Sequence, residues 1–191
     1  MLEDLFQIHQ EVMSKIPMGM KRYLYSQINW KAAGLCIVGD RGVGKTTMLC
    51  QDLLERYKNP NNALYLSADH VNVISYGLVS IAKSFFSLGG KALYIDEVHK
   101  YPEWSTEIKN LLDTYKGRQI IFSASSSLDL YHARLSFGNL DSARQSQIDS
   151  NEKHHSPMGK GDEEDRFGKA AASPNSHNLA GRGIYKMEKL L

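Results

Sequence analysis

The chain has 191 residues, 42% of them hydrophobic, with 23 basic against 21 acidic side chains and a formal net charge of +2. That length suits one ordinary domain or a smaller domain with a tail, and so even a charge balance sets up no field for drawing in a polyanion such as nucleic acid. No run of about 18 apolar residues could span a bilayer, and the start Met1-Leu2-Glu3-Asp4 lacks the basic and apolar stretches of a signal peptide, so a cytoplasmic soluble protein with no membrane partner is expected.

Apolar residues at Leu2, Leu5, Phe6, Val12, Met13 and Ile16, with His9 as a neutral filler, keep the three-and-four spacing of an amphipathic helix, which Pro17 and Gly19 end. Leu35-Cys36-Ile37-Val38 reads as a strand buried on both faces and stopped by Gly39. A glycine-rich turn follows, then a helix through about Tyr57. Ala63 to Leu66 makes a second strand, and a mixed helical stretch from about Val73 to Phe86 leads to Gly89-Gly90. Ala92-Leu93-Tyr94-Ile95 is a third strand. Next, Trp104, Ile108, Leu111, Leu112 and Tyr115 line one stripe of a helix whose other side carries Glu103, Glu107, Lys109 and Asp113. Pro102 suits its first turn, Gly117 closes it, and Gln119-Ile120-Ile121-Phe122 is a fourth strand.

Strands alternating with helices predict an α/β fold, a three-layer sandwich around a mainly parallel sheet, with ligands beyond the carboxyl ends of the strands. The reading divides the chain into an N-terminal helix (1–19), a core (20–138) and a polar tail (139–191). From about Asn139 no four consecutive apolar residues occur, which predicts disorder; the alternative is a long polar surface loop with a short C-terminal helix. The two cysteines, Cys36 and Cys50, sit in apolar or helical surroundings and read as small buried residues, with no disulfide framework. His154 and His155 are adjacent but lack a second pair at zinc-site spacing.

The chemistry gathers at Gly39-Asp40-Arg41-Gly42-Val43-Gly44-Lys45-Thr46, which fits GxxxxGK(S/T) between a buried strand and a helix, the setting of a P-loop. A triphosphate needs fixed donors at close range. Glycines let the backbone approach, the amides from about Gly42 to Thr46 form an anion-binding nest, and the helix N-terminus adds its positive end. Lys45 is then expected on the β- and γ-phosphates and the Thr46 hydroxyl on Mg2+, with Thr47 adjacent as helix surface or packing. About fifty residues on, Asp96 and Glu97 end an apolar strand in the Walker B arrangement. Asp96 is expected to hold the Mg2+ shell through a water, and Glu97 to polarise a water for in-line attack. Ser123 to Ser127 offer hydroxyls at the same sheet end: Ser125 is the one chosen to reach the γ-phosphate or the attacking water, while the alternative is that these serines cap the next helix. Arg41, His99, Lys100 and Trp104 flank the site and are read as structural.

These residues carry a family resemblance. The run Gly39 to Thr47, the stretch Tyr94-Ile95-Asp96-Glu97-Val98-His99-Lys100-Tyr101-Pro102 with Trp104, and Ile120-Ile121-Phe122-Ser123-Ala124-Ser125-Ser126 resemble the bacterial and archaeal AAA-type ATPases. The likeness covers about residues 20 to 133. It implies ATP as ligand, with ATP preferred over GTP, and a sheet order of five, one, four, three, two. In that family the core is followed by a helical and winged-helix region and a C-terminal nuclease-like domain. Beyond Ala133 the likeness fades, with Leu135-Ser136-Phe137 faintly similar to a motif after the family's fifth strand. The expectation is therefore a chain shortened or frameshifted there, lacking the fifth strand, with Leu35 to Val38 left as an exposed edge, lower stability and self-association. Two functions compete: an ATPase of slow turnover, since no arginine finger is assignable, and a nucleotide-binding switch or inactive remnant.

Overall fold

The computed structural model describes residues 1–125 and the backbone of 184–189. Four parallel strands, β1 (Gly34–Gly39), β2 (Ala63–Ser67), β3 (Ala92–Asp96) and β4 (Gln119–Ala124), lie in the order β2-β3-β4-β1. Around them run α1 (Leu2–Met13), α2 (Lys45–Arg56), α3 (Val71–Tyr76), α4 (Leu78–Ser87) and α5 (Trp104–Thr114). The long helical stretch expected from Val73 is two helices, because Gly77 sits at φ +78° and turns the chain where a side chain is rarely tolerated.

The sheet is the middle layer because alternate residues of each strand feed opposite cores. Cys36, Val38, Leu64, Leu66, Leu93, Ile95, Ile120 and Phe122 pack towards α4 and α5, meeting Ile81, Phe85, Ile108 and Leu111. Leu35, Ile37, Tyr65, Tyr94 and Ile121 face the other way and meet Met48, Leu49 and Leu53 of α2 together with Leu24, Ile28 and Trp30. Cys36 and Cys50 are both buried, and neither is in a disulfide. Burial, reinforced by Asp96, pushes the Cys50 thiol well above its ordinary range, so it stays protonated.

The order continues past β1. Ile184–Lys189 forms β5 and pairs antiparallel with β1, Leu35 opposite Glu188 and Ile37 opposite Lys186. Two expectations change. The edge of β1 is covered rather than open, and part of the segment read as a disordered tail is a strand. The sequence Ile184-Tyr185-Lys186-Met187-Glu188-Lys189 is too short and too charged to stand out, and an unpaired strand edge will accept any segment that satisfies its amides. Leu135 to Phe137 and residues 139–183 lie outside the described residues. Among the described residues no helix is long and apolar enough to cross a membrane.

At the other edge α1 crosses β2. Its Leu5 enters one core and its Met13 the other, and between them His9, only 3% exposed, accepts a hydrogen bond at Nδ1 from the Tyr65 backbone N–H, 3.0 Å. The histidine treated as filler thus satisfies an edge-strand amide. Burial lowers its pKa from 6.5 to about 4. Between those values the unfolded chain binds a proton that the folded chain refuses, so this contribution to stability is complete above pH 6.5 and is lost as pH falls towards 4. It amounts to about 3 kcal/mol. Asp52, buried and raised to about 6, works in the opposite sense by gaining its proton more readily in the folded state. In denaturant unfolding, His9→Gln should therefore gain on the wild type by about 3 kcal/mol between neutral pH and about pH 4. A difference that is flat with pH would show that His9 is not held neutral.

Candidate functional site

β1 delivers the chain at Gly39 into a loop where Gly42 and Gly44 hold φ +83° and +89°, and α2 starts at Lys45 with no side-chain cap on its first turn. A Cβ at Gly42 would meet nothing within 4 Å, so that glycine is required by backbone conformation and not by crowding. Gly44 is confined on both counts, since a Cβ there would stand 3.1 Å from Nε of Arg22.

Lys45, 4% exposed, curls back over its own loop and donates from Nζ to the carbonyl oxygens of Gly39 at 2.8 Å and Asp40 at 3.0 Å. One residue on, Thr46 Oγ1 donates to Asp96 Oδ2 at 2.5 Å, which brings the start of α2 and the end of β3 together. Asp96 is 2% exposed, and both of its oxygens are engaged. Oδ2 also accepts from the Tyr65 hydroxyl at 3.2 Å, while Oδ1 accepts from Ser123 Oγ and from the Glu97 backbone N–H at 3.1 Å. Burial, then the Asp96 charge, pushes the Tyr65 phenol far above its ordinary range, so it remains a donor.

Glu97 has a left-handed backbone, φ 55° and ψ 38°, uncommon for a residue with a side chain. Such strain persists where the surroundings over-determine it. Here the Glu97 N–H is shared between Asp96 Oδ1 and Ser123 Oγ, the latter at 3.1 Å. The Glu97 carboxylate lies 3.2 Å from Lys100 Nζ and 3.6 Å from His99 Nε2. Ser125 Oγ is 2.7 Å from the same His99 nitrogen, so the serine joins the carboxylate through an imidazole. His99 Nδ1 is buried and has no hydrogen-bond partner among the described residues.

Lys45, Thr46, Asp96 and Glu97 therefore meet at one end of the sheet, with Ser125 at its margin. Asp40 and Arg41 are exposed, and Thr47 is half-buried on α2. Val43 is partly buried against the apolar core. Trp104 packs inside, 6.3 Å from the Phe122 ring, as its place in the apolar stripe implied. Three neighbours escaped the sequence reading: Tyr65 on Asp96, Asp69 on Lys100 at 2.8 Å, and Arg22 beside Gly44; Ser123, offered there with the other serines but passed over for Ser125, bonds Asp96. Ser123 had a signal, since β3 and β4 pair with Ile95 opposite Phe122 and the next residues along are Asp96 and Ser123. The other three depend on register and loop paths that no local pattern carries.

A family model described as AAA domain matches residues 32–138, more than half of the chain. The chain belongs to this AAA-domain family. It is thus a nucleotide-binding domain of the AAA type, and the matched stretch takes in β1, the loop and helix that follow it, and the Asp96-Glu97 strand end. An uncharacterized protein of Methanocaldococcus jannaschii is 34% identical over 111 residues, 53% of this chain and 23% of that protein. The AAA chain spans under a quarter of that relative's length.

Proposed function

We propose that this AAA domain binds ATP together with Mg2+ and hydrolyses it to ADP and phosphate. The observation that carries the reading is the 2.5 Å bond from Thr46 to Asp96, which joins the residue after Lys45 to the residue before Glu97. The donor set fits the metal: a hydroxyl and a carboxylate are hard oxygen ligands of the kind Mg2+ takes beside phosphate and water. Among the described residues no three His, Cys, Asp or Glu side chains cluster to hold a metal alone, which suits an ion shared with the nucleotide. Mg2+ would supply Lewis-acid neutralisation of phosphate charge there.

The remaining roles belong to the chain. The free amides of the loop and the first turn of α2 bind phosphate oxygens, with the glycine conformations keeping side chains out of the way. Lys45, now satisfied by two carbonyls of its own loop, turns its ammonium to the β- and γ-phosphates. Glu97 accepts the proton of the attacking water, and Ser125 orients that water or the γ-phosphate. Turnover of the chain alone should be slow, because an arginine supplied at the transition state is typically worth about 10³–10⁵ in rate.

A second reading, a nucleotide-binding switch without turnover, is favoured by the pairing of the Glu97 carboxylate with Lys100. Titration with fluorescent ATP and GTP, with and without Mg2+, together with phosphate release, tests both. Saturable ATP binding strengthened by Mg2+ and accompanied by phosphate release is expected. Binding without release leaves the switch, and no binding removes both readings.

A further inference from the structure

Lys100, which the sequence presents as a structural residue flanking the site, occupies the middle of a chain of polar contacts across the carboxyl ends of three adjacent strands. At the end of β2, Ser67 Oγ donates to Asp69 Oδ1 at 2.5 Å. The other oxygen, Asp69 Oδ2, takes the Lys100 ammonium at 2.8 Å, and the same ammonium reaches Glu97 Oε2 at 3.2 Å. Past Glu97 the contacts continue through His99 Nε2 to Ser125 Oγ.

Two backbone bonds fix the geometry of this chain. Lys100 N–H donates to the Glu97 carbonyl at 3.0 Å, closing a tight turn, so lysine and glutamate move as one unit. Ala68 N–H donates to the Asp96 carbonyl at 2.9 Å, so the loop bearing Asp69 is tied to the strand end that bears both site carboxylates. Asp69 is thus a fixed anchor, and the ammonium spans the gap from it to Glu97. Each charge stabilises the other: Asp69, with Glu97 behind it, raises the Lys100 pKa, and Lys100 lowers that of Asp69.

The side chains of Lys100 and Asp69 are 39% and 40% exposed, and ion pairs that open to water add little to folding. Stability is therefore a poor account of the arrangement. Positioning is a better one, because Glu97 stands on a left-handed backbone and its carboxylate needs a fixed direction to face a water.

We propose that the Asp69–Lys100 pair is a clamp that aims the Glu97 carboxylate, which makes Lys100 a positioning residue for ATP hydrolysis. The proposal rests on the reading of Glu97 as the proton acceptor. It removes Lys100 from the structural role given to it by sequence alone and extends the site to the loop after β2.

The test measures steady-state phosphate release and ATP affinity for the wild type, Lys100→Met, Lys100→Arg, Asp69→Asn and Glu97→Gln. Lys100→Met should lower kcat by about 10–100-fold, the scale of a misplaced reacting group, with KM and ATP affinity within about twofold of the wild type. Asp69→Asn should follow it in the same direction, and Lys100→Arg should recover most of the rate. An unchanged or raised kcat in Lys100→Met overturns the clamp, as does a raised KM at constant kcat, which would put Lys100 on the nucleotide. If the wild type releases phosphate no faster than Glu97→Gln, it is the hydrolysis reading that fails. The clamp is then judged from the Lys100 ammonium resonance by NMR, where slowed proton exchange lost in Asp69→Asn is expected and fast exchange in the wild type overturns it.

Discussion

Lys45→Ala is expected to weaken ATP binding by at least ~100-fold, measured by equilibrium titration with labelled nucleotide. Hydrogen bonds to charged groups contribute about 1.5–3 kcal/mol each, the ammonium has donors for two phosphates, and every 1.4 kcal/mol is tenfold in affinity. The structure adds a complication that has to be controlled. Lys45 is buried and satisfies the carbonyls of Gly39 and Asp40, so its loss leaves two acceptors in need of water and should cost about 1–3 kcal/mol of stability. A thermal melt by circular dichroism separates the two effects: a folded variant that no longer binds supports the phosphate role. A folded variant that binds ATP as tightly as the wild type would remove the phosphate site from this loop.

Glu97→Gln should reduce phosphate release by about 10²–10⁴-fold, the usual contribution of a positioned acid or base, while ATP affinity stays close to that of the wild type. The substitution keeps the size of the side chain and an oxygen for Lys100 to address, Asp96 keeps its donors from Thr46, Tyr65 and Ser123, and the Glu97 N–H still donates to Ser123 Oγ. The ability to take a proton is lost, together with the negative charge that pairs with Lys100. Equal rates for the two proteins would leave a nucleotide-binding domain and no hydrolase.

The parts legible in the sequence were those written in consecutive residues. The apolar runs at Leu35, Ala63, Ala92 and Ile120 became the four parallel strands, and the glycine-lysine-threonine run and the Asp96-Glu97 pair landed at the same end of the sheet because βαβ connections leave little freedom. What could not be read is set by contacts between distant residues. Helical spacing revealed α1 but not that His9 would meet the Tyr65 amide, since nothing near either residue encodes their approach. The mixed helical stretch expected from about Val73 to Phe86 is divided at Gly77, whose positive φ is visible only when the turn is formed. Lys100 read as a structural residue flanking the site, and its contact with Asp69 depends on the path of the loop after β2.

β5 carries a consequence for how the chain reaches this form. It joins β1 from well over a hundred residues further along the chain, Gly34 opposite Lys189, whereas the other neighbours in the sheet are closer in sequence. Contacts of that range are slow to make because the intervening chain must be gathered first. During synthesis the strand that precedes the glycine-rich loop must wait with one flank bare until Ile184–Lys189 emerges, and for that interval the nascent chain depends on dilution or on chaperones to avoid pairing with its neighbours.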